Sequence, residues 1–172
     1  MNNRRLVNFA GFFACAGLTG YALYAQYVLG FEPCPLCIFQ RVGIIALGVV
    51  FLLAALHHPR KWGRYVYGGL IGLAALATIG VSARHLYIQS LPPGSVPSCG
   101  APLNVMMQFT PLTEVVRKVL FGAGECQKID WTFLGLPMPA WVLISALVIG
   151  AIGVIANIRR QGPPPLSLAT RA

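Results

Sequence analysis

Four apolar runs, near Leu6–Leu29, Leu36–Leu56, Tyr65–Ala83 and Ala140–Ile158, are each about the length of the roughly twenty residues that carry an α-helix across a bilayer. Four such runs leave little of a 172-residue chain for a water-soluble core, and only 10% of the residues are charged against 56% hydrophobic. The expectation is an all-α integral membrane protein, a four-helix transmembrane bundle formed as a single membrane domain over residues 1–172. An even number of spans puts both termini on one side.

The basic residues say which side. Lys and Arg flanking a span are retained in the cytoplasm, and Arg4, Arg5, Arg60, Lys61, Arg64, Arg159, Arg160 and Arg171 share one face with no acidic residue among them. That face is read as cytoplasmic, with a tail over 159–172 whose Pro163-Pro164-Pro165 argues for disorder. The opposite face holds Arg41, Arg84, Arg117, Lys118 and Lys128 with all four acids, Glu32, Glu114, Glu125 and Asp130. Nearly all of the net charge of +9 therefore lies on the cytoplasmic side, where it suits anionic lipid and gives no reason to expect nucleic-acid binding. The N-terminal Arg pair and Ala14-Cys15-Ala16 faintly resemble a signal peptide, but hydrophobicity continues unbroken to Leu29, so the first run is read as a retained span.

Two loops remain on the outer face, about 30–35 and 84–139, and four of the five cysteines fall there: Cys34, Cys37, Cys99 and Cys126. An even set of thiols in an oxidising compartment reads as two disulfides. Three pairings are possible and the sequence does not separate them, although a C-x-x-C near a helix start readily closes on itself, which favours Cys34–Cys37 with Cys99–Cys126. Cys15, inside a span, reads as a small packing residue. A bridge across two intervening residues restricts the unfolded chain little, so stability is a poor reason for Cys34–Cys37. Reactivity is a better one: Cys37 begins a helix whose unpaired N–H groups favour thiolate, and Arg41, four residues on, shares its face.

A fixed cation there can hydrogen-bond a carbonyl oxygen and stabilise negative charge arriving on it; a membrane-soluble carbonyl carrier means a quinone. His85 lies where it can move the accompanying proton, whereas the neighbouring Arg84 reads as a guanidinium snorkelling to the headgroups. Zinc, the other use of C-x-x-C, needs four converging ligands. Cys99 and Cys126 lack a second tight spacing and His57 and His58 fall on the far face, so no metal is expected.

The long outer loop is rich in turn formers. Within it Thr110 and Pro111 start a short amphipathic helix with Leu112, Val115, Val116, Val119 and Leu120 as its stripe and Gly122 as its stop, resting on the membrane or packed on the bundle. Gly68-x-x-x-Gly72 and Ala146-x-x-x-Gly150 read as close helix approaches; Trp62, Tyr65, Trp131 and Trp141 read as interfacial anchors.

These residues together resemble the bacterial inner-membrane disulfide bond formation protein B (DsbB) family. The resemblance rests on Cys-Pro-Leu-Cys-Ile-Phe-Gln-Arg at 34–41, His85, Cys99, Gly124-Glu125-Cys126, Trp131-Thr132-Phe133-Leu134-Gly135 and Met138-Pro139-Ala140-Trp141, and covers nearly the whole chain. What it implies is a protein-dithiol:quinone oxidoreductase whose catalytic cysteines, Cys34, Cys37, Cys99 and Cys126, face the periplasm. By that analogy a reduced DsbA-like thioredoxin-fold protein attacks the Cys99–Cys126 bridge at Cys99. Cys126 passes the electrons to Cys34–Cys37, and Cys37 donates to ubiquinone or menaquinone beside Arg41, with His85 as a neighbour. Two other readings compete. One is a non-catalytic four-span scaffold with two structural disulfides. The other is a vitamin K epoxide reductase-like enzyme, which motif order disfavours because there the C-x-x-C lies late in the bundle.

Overall fold

In a computed structural model of the chain, the residues described are 3–57, 59, 62–92, 95, 108, 111–121, 124–127 and 131–159. Four helices are long and apolar enough to cross a membrane: α1 (Asn3–Tyr27), α2 (Pro35–His57), α3 (Gly63–Ser90) and α5 (Met138–Ile158). Even the shortest, with 21 residues, rises about 30 Å, the thickness of the hydrocarbon core. Between α3 and α5 lie the short α4 (Leu112–Phe121), a 3-10 turn (Gly124–Gln127) and a two-stranded hairpin, β1 (Thr132–Phe133) with β2 (Leu136–Pro137). Leu73, Leu76 and Phe13 are about two-thirds exposed; in a multi-pass membrane protein such outward apolar side chains meet lipid.

Where the helices begin and end follows from local chemistry. Pro35 opens α2, where its missing N–H costs nothing, and the Cys34 sulfur just before it accepts the backbone N–H of Cys37 at 3.3 Å, the bond a Ser or Asp cap makes. The C-x-x-C is thus the start signal of the helix as well as its thiol pair. The third apolar run was expected to end at Ala83, yet α3 continues to Ser90. Arg84 and His85 lower the hydropathy there without lowering helix propensity, and the helix stops only where Leu91 turns extended ahead of Pro92. The amphipathic helix forms as expected: Val119 is fully buried and Val116 half-buried, while Thr113, Glu114 and Arg117 are exposed, and its neighbour is α2. Gly122, its expected stop, and Cys99 both lie outside the described residues.

The core is made by Cys15, Ile44, Leu47, Phe51, Ile71, Ala75 and Ala146. Gly153 of α5 is required here, because a β-carbon would collide with the Phe51 ring and with Ile71. Gly68 and Gly72 face Ile158 and Val154 across the α3–α5 seam, and Gly150 faces Ala75. At the end of the bundle away from the C-x-x-C, the amides of Asn8 and Asn157, both fully buried, exchange hydrogen bonds of 3.3 and 2.8 Å. Beside them Arg4 donates to the carbonyls of Pro59 and Arg159.

An amide pair sealed from water and lipid leaves its partner unsatisfied when one side is removed. Asn157→Ala is therefore expected to destabilise the bundle by about 1–2 kcal/mol, and adding Asn8→Ala to cost little more. Unfolding in mixed detergent reads both; simple addition of the two effects would show that the amides act separately.

Candidate functional site

Three sulfurs and an imidazole converge where α2 begins. Cys34 and Cys37 are present as thiols with their sulfurs 2.8 Å apart, within reach of a bridge. The Cys34 sulfur also lies 3.8 Å from Nε2 of His85, a buried residue of α3. Cys126, buried in the 3-10 turn, shares a side-chain hydrogen bond with Cys34 and turns backbone toward His85. Hydrogen bonding to Cys126 and then Cys37, together with burial, holds the Cys34 thiol above the ordinary cysteine range.

His85 is held by two amides, with Gln40 Nε2 3.1 Å from Nδ1 and Gln89 Nε2 3.4 Å from Nε2. Turned end for end, the Gln40 amide would accept from Nδ1; in the orientation present it donates to Nδ1 and the ring proton sits on Nε2, facing Cys34. Turning the Gln89 amide end for end would let its Oε1, buried without a partner, accept that proton.

On the other side of the pair a cavity of about 430 Å³ opens between α1, α2, α5 and the hairpin. Its walls are apolar and aromatic, with Tyr21, Trp131, Phe133 and Trp141 prominent, and Cys37 and Arg41 contribute to its lining. Such a shape, mostly apolar with a few polar groups, suits a flat small molecule. Arg41 is fixed from α1: Nη1 donates to Gln26 Oε1 at 2.6 Å and Nη2 to the Ala22 carbonyl at 3.3 Å. Nε–H is buried without a partner. A guanidinium fixed in this way on the cavity lining, with N–H groups beyond the two it spends, can receive an oxygen from a ligand.

The hairpin builds the aromatic wall. Leu134 and Gly135 both take positive φ, 53° and 78°, the mirror-image turn that a two-residue β connection needs. This folds Phe133 flat against Trp131, with centroids 5.8 Å apart and planes 7° from parallel. Trp141 Nε1 donates to the Phe133 carbonyl at 3.1 Å. Trp131 and Trp141, read from sequence as interfacial anchors, are thus cavity walls.

Of the residues singled out by sequence, Cys34, Cys37, Cys126, Arg41 and His85 come together. His85 is on the Cys34 side and lines a second, smaller space of about 100 Å³, together with Cys34, Cys37 and Arg41. Arg84 lines neither cavity, and its guanidinium lies 5.4 Å from the Tyr87 ring centroid. Gln26 and Gln89 carried no sequence signal beyond being polar near a span end, and Gln40 and Phe133 stood in the motifs of the family resemblance without a role of their own.

A family model described as disulfide bond formation protein DsbB matches residues 4–156. The disulfide bond formation protein B of Chromobacterium violaceum is 52% identical over 149 residues, covering 86% of this chain and 90% of that protein. The protein of the same description from Nitrosococcus oceani is 48% identical over 150 residues, 87% of this chain and 89% of its own. That of Xanthomonas campestris pv. campestris is 46% identical over 157 residues, 91% of each. With four long apolar helices and a thiol pair capping the second, this chain is a multi-pass membrane protein of disulfide bond formation and belongs to the DsbB family.

Proposed function

We propose that the protein reoxidises a DsbA-like thioredoxin-fold dithiol protein at the periplasmic face of the bacterial inner membrane and delivers the electrons to ubiquinone or menaquinone. The observation that carries this reading is the 430 Å³ apolar cavity with Cys37 and Arg41 on its wall. The residues fit a quinone ring: aromatic faces to stack on, a thiol for electrons, and a fixed cation for a carbonyl oxygen. Quinone, when bound, accepts two electrons and two protons and leaves as quinol.

The chain's own part runs in three steps. The partner's thiolate opens the Cys99–Cys126 bridge, forming a mixed disulfide at Cys99 and releasing Cys126 as thiolate; the partner's second thiol then closes its own bridge and frees Cys99. Cys126, adjacent to Cys34, attacks the Cys34 sulfur of the Cys34–Cys37 bridge, and Cys37 leaves as thiolate on the cavity side. Cys99 then attacks the Cys126 sulfur of the Cys34–Cys126 mixed disulfide, which restores the outer bridge and frees Cys34, and Cys34–Cys37 closes as the electron pair leaves through Cys37. Arg41 stabilises the arriving negative charge, and His85, with a proton on Nε2 facing Cys34, keeps that sulfur's hydrogen-bonding satisfied between steps. Overall one partner dithiol becomes a disulfide for each quinol formed.

Quinone absorbance followed with purified full-length protein, added ubiquinone and a reduced DsbA-type partner tests this directly. Quinone loss is expected to match partner disulfide one for one. A flat trace across a panel of dithiol partners, with the protein folded, would instead support a scaffold with two structural bridges.

A further inference from the structure

Cys34, Cys37 and His85 place two sulfurs and an imidazole nitrogen all within 4.8 Å of one another. Sequence alone gave no reason to join them, since 48 residues separate Cys37 from His85 and the other histidines fall at the far end of the bundle. We propose that the reduced protein binds one Zn²⁺ ion at Cys34, Cys37 and His85.

The geometry is close to what the ion needs. A tetrahedral zinc with Zn–S near 2.3 Å and Zn–N near 2.0 Å spaces its ligand atoms about 3.5–3.8 Å apart. Cys34 Sγ and His85 Nε2 already stand 3.8 Å apart. The two sulfurs, at 2.8 Å, have to part by about 1 Å, a change within reach of a χ1 adjustment at either residue. The Cys126 sulfur is not among the atoms that converge within 4.8 Å, so the fourth position falls to solvent unless the 3-10 turn shifts. The charge is also compatible: two thiolates neutralise Zn²⁺, and Arg41 lines the same small cavity.

His85 is mounted as a metal-binding histidine usually is, with its other nitrogen held by a polar side chain. Turned end for end, the Gln40 amide accepts Nδ1–H through its carbonyl oxygen and leaves the Nε2 lone pair facing Cys34. Binding releases one proton per thiol and changes no oxidation state. Because an oxidised sulfur pair cannot supply thiolates, the site exists only in the reduced protein, and the ion is expelled when the bridges re-form. Occupancy would hold both sulfurs of the α2 pair and so arrest thiol exchange and electron donation together. The binding itself depends only on the dithiol state, whatever the electron acceptor is.

The test uses full-length protein in detergent, reduced and then freed of reductant under nitrogen, titrated with Zn²⁺ against a colorimetric chelator beside the oxidised protein. One equivalent is expected in the reduced form and none in the oxidised form. His85→Ala and Cys37→Ser are each expected to weaken binding at least about tenfold, and Cys15→Ser, in the core away from the cluster, to leave it unchanged. Co²⁺ added to the unaltered protein gives a reading independent of variant folding. Thiolate-to-metal charge-transfer bands with tetrahedral visible bands should accompany reduction and vanish on oxidation. Equal uptake by the two redox forms, a cobalt spectrum without thiolate bands, or an unchanged affinity in folded His85→Ala would overturn the proposal.

Discussion

Cys37→Ser is expected to lower quinol formation at least about a thousandfold, a loss of about 4 kcal/mol of transition-state stabilisation, while leaving the first exchange with the dithiol partner intact. The asymmetry comes from position. Cys37 lines the 430 Å³ cavity and Cys34 does not; Cys34 faces His85 and Cys126 instead. A serine at 37 keeps the volume and the start of the helix, because the cap bond is made by the Cys34 sulfur to the backbone of residue 37. It removes only the atom that can hold the electron pair. The partner should still open the outer bridge, so one equivalent of partner disulfide should form per protein and then stop while quinone absorbance stays flat. Turnover within tenfold of the unaltered protein would mean that electrons leave from another sulfur, and the assignment of Cys37 to the cavity side would lose its mechanistic meaning.

How much of this could be read in the sequence depends on how local each signal is. The four spans were legible because a bilayer imposes a length on any helix that crosses it, and the start of α2 was legible because proline and a capping side chain act within one turn. The amphipathic stripe of α4 was likewise a local periodicity. The extension of α3 to Ser90 was missed because hydropathy reports lipid contact while helicity follows backbone propensity, and the two part company at Arg84 and His85. The site's supporting residues were beyond sequence reading for a different reason. Gln26 reaches Arg41 across 15 residues and Gln40 reaches His85 across 45, so both contacts exist only once α1, α2 and α3 have packed. Trp131 and Trp141 looked like interfacial anchors because either role puts an amphipathic ring at a span end; the positive-φ turn at Leu134 and Gly135 tips them inward.

Packing and chemistry meet in the way the C-x-x-C is mounted. The residues that close the helix start also fix which thiol faces which neighbour: capping holds the Cys34 sulfur against the Cys37 amide, on the side of Cys126, and the first turn carries Cys37 toward α1. On the proposed function, a two-sided thiol pair of this kind would receive electrons on one side and release them on the other. His85 lies beside Cys34 and Arg41 on the wall shared with Cys37, and both also border the smaller space.

Arg41→Met is expected to lower kcat/KM for quinone by about 10²–10³ while partner exchange proceeds unchanged, since removing one preorganised donor at a developing oxyanion typically costs that much. The structure divides the effect between charge and placement. Two of the guanidinium's N–H groups are spent on Gln26 and the Ala22 carbonyl, so its remaining donors are placed by α1 rather than by its own flexible stem. Gln26→Leu should therefore reproduce the defect in weaker form, about tenfold, by releasing an arm of an intact cation. Arg41→Lys, which keeps the charge but lacks the planar fork, should fall between the two. Because Arg41→Met also leaves Gln26 Oε1 without its donor, a loss of stability has to be distinguished from a loss of binding; the double variant Arg41→Met with Gln26→Leu removes both partners and should be no less stable than Arg41→Met alone. If quinone KM and kcat are unmoved in folded Arg41→Met, the open donor serves no carbonyl. If they shift in Arg41→Met but not in Gln26→Leu, charge alone suffices and the grip of α1 on the guanidinium is packing without a part in catalysis.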